Sequence, residues 1–274
     1  MTEKAKYKSL RKMECESKLI LGDSSKELKK ISDCSIELTV TSPPYDNLRT
    51  YNGSIKYWGE NVWKSVIKEL YRVTVLGGTV VWVVGDATIN GSETGTSFRQ
   101  ALWAKECGFN LHDTMIWYKG RFTAVGALQV RYASVFDYMF IWTKGKIKTF
   151  NPLRDRKVKY PGKKLSGTIR NRDGTMRRMS NEGKIIGKGG LGYRFNIWKI
   201  HPHSQGPNHP AVFPYQLAYD HILSWSNKGD TVLDPFMGSG TTGIVARDLE
   251  RNFIGIEVDK NYYEFAKKRI SSKG

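Results

Sequence analysis

Gly229-Asp230-Thr231-Val232-Leu233-Asp234-Pro235-Phe236-Met237-Gly238-Ser239-Gly240-Thr241-Thr242 is the stretch on which the fold turns. Thr231 to Leu233 is a short, β-branched apolar run between turn residues, and it reads as a buried strand. The glycines make a tight turn, and Gly243 to Leu249 continues as a helix. Strand, glycine turn and helix together let a ligand approach backbone amides at a helix N-terminus. The next strand, Asn252 to Glu257, closes on an acid placed to accept ribose hydroxyls. Read literally, Gly238-x-Gly240-x-x-Gly243 is also the dinucleotide fingerprint, so a nicotinamide-dependent oxidoreductase stands as a rival reading. That rival needs further strands downstream, and only about thirty residues remain after Gly243. A P-loop is excluded, because no Lys follows the glycines.

Working outward, the partner of this unit lies near the other end of the chain. Ile36-Glu37-Leu38-Thr39-Val40 reads as a second buried strand, and Thr41-Ser42-Pro43-Pro44-Tyr45 follows it directly. Two prolines end the strand, since neither donates a ladder hydrogen bond and each fixes its own φ. The outcome is a rigid extended tip at the carboxyl end of a strand, where open α/β sheets bind ligands. A hydroxyl in front, carbonyls held out of any helix and a ring behind suit a planar amine. The hydroxyl and a carbonyl accept its N–H groups while the ring stacks. By itself, Pro-Pro is more often a plain strand-terminating turn.

Together the two motifs resemble the amino-methylating DNA methyltransferases that use S-adenosylmethionine. Their order, catalytic tip first and cofactor turn last, is similar to the beta class. His209-Pro210-Ala211-Val212-Phe213-Pro214 resembles that class's segment leading into the helix before the cofactor strand. Leu21-Gly22-Asp23 resembles its acidic turn before the catalytic strand. The likeness covers roughly residues 18–145 and 196–271. It implies a Rossmann-like fold with circularly ordered motifs, S-adenosylmethionine as cofactor and double-stranded DNA as partner. It further implies transfer of a methyl group to the exocyclic amine of a flipped base. The implied cofactor residues are Asp23, Phe213, Asp234, Phe236, Gly238, Gly240, Thr241 and Glu257. Among these, Asp234 suits the ammonium, Glu257 the ribose, and Asp23 the adenine amine. The implied catalytic residues are Ser42, Pro43, Pro44 and Tyr45. Ser at the first motif position goes more often with N4 of cytosine, leaving N6 of adenine as the alternative.

Composition fits this implication. A chain of 274 residues can bury a full α/β core as one domain, 1–274. No apolar run would cross a bilayer, and the lysine-rich start lacks the apolar segment of a signal peptide, so a cytoplasmic location is expected. Cys15, Cys34 and Cys107 form no CxxC pair, and none precedes the Pro-Gln of a cytosine-C5 nucleophile. His201, His203 and His209 lie close in sequence, but without Cys or carboxylate partners no metal site is expected. The net charge is +18, and seventeen Lys or Arg against Asp155, Asp173 and Glu182 put +14 of it between Lys144 and Lys199. Such a density attracts a polyanion, although a basic run is often only a solvated face. Residues 146–195 are therefore read as a basic target-recognition insert, with Arg170, Arg172, Arg177 and Arg178 as DNA contacts. Asp46 and Arg49, just past the tip, are read as gripping DNA or holding the loop, and Asp86 as a residue near the same cleft. Trp58, Trp63, Trp82 and Trp103 are read as core or capping residues. A non-catalytic DNA-binding protein of this fold is the rival from another class, and the intact tip beside an intact cofactor turn argues against it. The oligomeric state stays open between monomer and homodimer.

The coarse architecture is a doubly wound, mostly parallel sheet with a terminal antiparallel hairpin. Strands are expected at 19–21, 36–40, 79–84, 111–118, 134–142, 231–233 and 253–257. Helices are expected at 24–30, 60–73, 96–106, 216–226, 241–249 and 260–270.

Overall fold

The computed structural model describes residues 15–45, 58–120, 129–187, 189–202 and 213–272. The chain forms two compact units, one of residues 1–151 with 197–274 and one of residues 152–196. The larger unit holds strands β1 (Ser17–Leu21), β2 (Ile36–Thr41), β3 (Thr74–Val84), β4 (Asn110–Tyr118) and β5 (Phe136–Thr143). Its helices before the smaller unit are α1 (Ser24–Glu27), α2 (Glu60–Val73) and α3 (Thr96–Glu106). The smaller unit carries the hairpin β6 (Thr168–Arg170) and β7 (Met176–Arg178). The larger unit resumes with β8 (Ile197–Lys199), α4 (Tyr215–Trp225), β9 (Thr231–Asp234), α5 (Thr241–Asp248), β10 (Asn252–Glu257) and α6 (Lys260–Ser271).

One eight-stranded sheet runs β1-β10-β9-β2-β3-β5-β4-β8. The five strands from β1 to β3 are parallel, so the two terminal parts of the chain interlock in one sheet. β5 runs antiparallel between β3 and β4, which is the expected hairpin. A strand that no sequence pattern announces, β8, lies parallel to β4 at the outer edge. β2 is buried along almost its whole length, as a strand with neighbours on both sides and helices on both faces must be.

Helix α2 lays Trp63, Val66, Ile67, Leu70 and Val73 into the core, a stripe at helical spacing. Around it pack Trp82 and Trp142, stacked at 5.3 Å, and Phe109. Trp58 and Trp103 border this core, and Trp63 lies within it. β3 starts five residues before the expected Thr79. Its early part passes through Gly77 at φ 85, where the register against β2 shifts between Ile36 and Leu38. Gly77-Gly78 hides that continuation in the sequence, because glycine is a poor strand former. Past the cofactor turn, Gly243 permits α5 to lie against β10: a Cβ there would meet Phe253 Cε1 at 2.5 Å.

Candidate active site

Five parallel strands end on one edge of the sheet, and every site residue of the larger unit that sequence motifs single out on this sheet lies at those ends. In lateral order they are Asp23 after β1, Glu257 at the end of β10, Asp234 at the end of β9, Ser42 after β2 and Asp86 after β3. The chain winds outward in both directions from the β9–β2 boundary, which makes that boundary the crevice where open sheets take ligands. Three strand spacings separate β1 from β2, about 14 Å. That distance matches an extended nucleoside carrying an amino-acid tail.

On the cofactor side the backbone is held by carboxylates. Gly238 N–H donates to Glu257 Oε2 at 2.8 Å, and Asp259 N–H to Glu257 Oε1 at 2.8 Å. Each oxygen keeps a lone pair for a further donor. Burial pushes the Glu257 carboxyl above its ordinary range, against the pull of these two amides. Gly238 and Gly240 have φ of 51 and 79, a left-handed turn that suits glycine. Gly240 then caps α5, whose first residue Thr241 is buried. Asp23 caps α1, accepting from Ser25 N–H at 2.9 Å. Ser24 Oγ donates to the Pro235 carbonyl, fastening the β1 turn to the glycine turn. Phe236 meets Trp58 edge-on at 5.3 Å and Trp82 at 6.1 Å. Phe213 is partly buried beside Pro214, the residue that caps α4.

Asp234 joins the two halves of the crevice. Its Oδ1 accepts from Thr41 Oγ1 on β2 at 2.7 Å and from Phe236 N–H at 3.1 Å. The residue is only 4% exposed. Burial pushes its carboxyl up to about 6, against the pull of Thr41, Thr242 and the Phe236 amide. A carboxyl so placed is ready for a cation, since an ammonium alongside would restore its charge. With the acids at Asp23 and Glu257, the donor set fits a cationic nucleoside.

On the catalytic side Pro43 is buried, while Ser42, Pro44 and Tyr45 are partly exposed at the crevice rim. Ser42 Oγ donates to the Tyr45 hydroxyl at 3.3 Å, and that hydroxyl donates to Asp137 Oδ2 at 3.0 Å. Lys119 Nζ donates to Asp137 Oδ1 at 2.7 Å. No sequence motif singles out Asp137 or Lys119; the one signal is a lone acid in the otherwise apolar run Phe136-Asp137-Tyr138-Met139. Asp86 turns away to helix α3, taking the Ser97 N–H at 2.9 Å as well as the Ser97 hydroxyl. It is a helix-capping acid in this structure.

In the smaller unit, Arg170, Arg172, Arg177 and Arg178 are all exposed on or between β6 and β7. The turn is tied by Asp173, which accepts from Thr175 N–H at 2.9 Å, and Asn171 holds Arg177 Nε at 2.9 Å. Asp46, Arg49, His203 and the segment 209–212 lie outside the described residues. His201 is exposed, with Nδ1 at 3.2 Å from the Lys119 carbonyl.

The sequence pattern of the DNA methylase family matches residues 36–268. The chain is 51% identical over 253 residues to the orphan methyltransferase M.BamHII of Bacillus amyloliquefaciens, covering 89% of this chain and 92% of that one. Its fold is similar to that of the cytosine-N4-specific PvuII DNA methyltransferase, with a TM-score of 0.68 at 20% identity over 94% of this chain and 88% of that one. It is similar also to a DNA modification methylase of Thermus thermophilus in its complex with S-adenosyl-L-methionine. There the TM-score is 0.61 at 22% identity, over 93% of this chain and 95% of that one.

Proposed function

The chain belongs to the DNA methylase family, and from that premise we propose that it methylates N4 of a cytosine turned out of double-stranded DNA. The coarser activity is that of an amino-methylating DNA methyltransferase, with S-adenosylmethionine as its cofactor. The observation that carries the finer reading is Ser42, a hydroxyl rather than a carboxylate, at the end of β2 beside the cofactor crevice. A base amine is paired inside a duplex, so the target nucleotide leaves the stack to reach this tip.

The bound cofactor supplies a methyl group already activated by its sulfonium, so the protein's task is positioning. Ser42 Oγ and the Pro43 carbonyl accept the two N–H groups of the amine. That draws the nitrogen from planar toward pyramidal and frees its lone pair for in-line attack. Tyr45 stacks on the base. Asp234 faces the cofactor ammonium, Glu257 the ribose hydroxyls and Asp23 the adenine amine, while Phe236, Gly238, Gly240, Thr241 and Phe213 line the remainder. The arginines of β6, β7 and their turn, within the insert 146–195, hold the DNA backbone. Among the described residues no helix is long and apolar enough to cross a membrane.

The test is the product. Duplex DNA methylated by the purified protein is digested to nucleosides and resolved by mass spectrometry. N4-methylcytosine is expected. N6-methyladenine as the sole product would replace the base assignment while leaving the crevice chemistry in place, since both amines offer two N–H donors beside a ring nitrogen.

A further inference from the structure

We infer that Asp137, held by Lys119, is a positioning residue that sets the direction of the Ser42 hydroxyl through Tyr45. The inference rests on the reading of Ser42 as acceptor for the base amine. It adds two residues, on β5 and directly after β4, that no motif contains.

The argument is one of donors and acceptors. Lys119 Nζ is donor only and lies 2.7 Å from Asp137 Oδ1, an ion pair with the carboxylate buried and the ammonium partly so. The paired carboxylate is acceptor only. Its other oxygen, Oδ2, lies 3.0 Å from the Tyr45 hydroxyl, which must therefore give it the phenolic proton. With that proton committed, the phenolic oxygen can meet Ser42 Oγ, 3.3 Å away, only as an acceptor. Ser42 accordingly turns its own proton toward Tyr45 and presents bare lone pairs to the crevice. An acceptor for an N–H must present that face. A serine without such a neighbour rotates freely and offers either its proton or its lone pairs. The Ser42–Tyr45 link is the longest of the three, so the order imposed from Asp137 is what holds it in one sense. The same anchor fixes the edge of the Tyr45 ring and hence the plane on which a base stacks. Gly85 leaves room for the arrangement: a Cβ there would lie 2.8 Å from Asp137 Oδ1 and 3.4 Å from Tyr45 Cε2.

Asp137→Asn separates this role from simple packing. The amide keeps the shape, but Lys119 claims its carbonyl and leaves the NH2 facing Tyr45. The chain of donors then reverses, and the Ser42 proton points at the incoming amine. The expected result is a loss in kcat of roughly ten- to hundredfold, with KM for duplex DNA and affinity for S-adenosylmethionine within about twofold of the parent. Adding Lys119→Met removes the competing donor and lets the carbonyl of the introduced amide turn to Tyr45. The double variant should recover most of the lost kcat, an outcome that a merely structural carboxylate does not produce. Tyr45→Phe keeps the ring and should lose a similar factor, with Asp137→Asn adding little on top of it.

Parental kcat in Asp137→Asn would overturn the inference, as would the same deficit in the double variant. Should Asp137→Asn fail to fold, parental kcat in Tyr45→Phe overturns it instead. Ser42→Ala is run alongside. Full turnover there removes Ser42 itself from the reaction, whereas an impaired Ser42→Ala beside an unaffected Asp137→Asn sinks only the role of Asp137.

Discussion

Thr41→Val tests the junction between the cofactor strand and the catalytic strand. The substitution keeps the volume of a side chain that is 1% exposed and removes only the hydroxyl that donates to Asp234 at 2.7 Å. Asp234 stands at about 6, raised by burial and pulled back by Thr41, Thr242 and the Phe236 amide. A hydrogen bond to a charged acceptor contributes about 1.5–3 kcal/mol. At 1.36 kcal/mol per unit, its loss lifts Asp234 by roughly one to two units. The ionised carboxylate is the form that faces an ammonium. Affinity for S-adenosylmethionine should therefore rise with pH through about 6 in the parent and through roughly 7–8 in the variant. Near pH 6.5 the variant should bind roughly three- to twentyfold more weakly, and the gap should narrow toward higher pH. Folding follows the sign of a raised acid: the contribution of Asp234 is full below its unfolded value and is lost as pH rises through about 6. In Thr41→Val that loss should extend further upward. Isothermal titration of the cofactor from about pH 5 to about pH 8 measures the midpoint. A midpoint unmoved by Thr41→Val would refute the coupling, and a flat profile in the parent would remove Asp234 from the cofactor's ammonium.

Ser42→Ala should reduce methyl transfer by about 1–3 kcal/mol in the barrier while cofactor affinity holds, read by labelled-methyl incorporation beside calorimetry. Phe236→Ala and Glu257→Ala should weaken cofactor binding first; parental affinity in both would displace the cofactor site. Neutralising Arg170, Arg172, Arg177 and Arg178 together should weaken DNA binding and flatten the slope of log K against log salt. Cofactor affinity should stay at its parental value, and an unchanged salt slope would leave the four arginines simply solvated. Gly243→Ala should destabilise the protein by about 1–3 kcal/mol, since its methyl group meets Phe253 and Ile270 at under 3 Å. A melting temperature equal to the parent's would show that α5 can shift to make room.

The parts legible in the sequence are those written in local chemistry. α2 and α3 occupy the expected residues, Glu60–Val73 and Thr96–Glu106, because apolar spacing and flanking glycines mark a helix within a few turns. The ends of β2 and β9 are readable because proline stops a strand and glycine permits a left-handed turn whatever surrounds them. Those two ends carry both motifs, so the family and the position of the crevice follow from the chain alone. The basic run is equally visible in sequence, since charge density requires no fold to be counted.

Tertiary structure alone decided how these pieces meet. The early half of β3 and the edge strand β8 gain their partners from residues far away, and a glycine pair or a three-residue strand has too little pattern to announce them. Asp86 reads as a cleft residue until the fold gives it the start of α3. Thr41 and Asp234 bond across 193 residues, and Tyr45 and Asp137 across 92. A hydrogen bond between side chains so far apart leaves no periodicity behind. Asp137 reads in sequence as one polar position of an alternating strand, and Lys119 as one more cation in a strongly basic chain. Only the sheet order, which sets β5 beside β3 and β3 beside β2, brings that acid to the hydroxyl of Tyr45. Residue types and their spacing determined what chemistry this chain can perform; strand adjacency, a property of no local segment, decided which groups hold its reacting atoms in place.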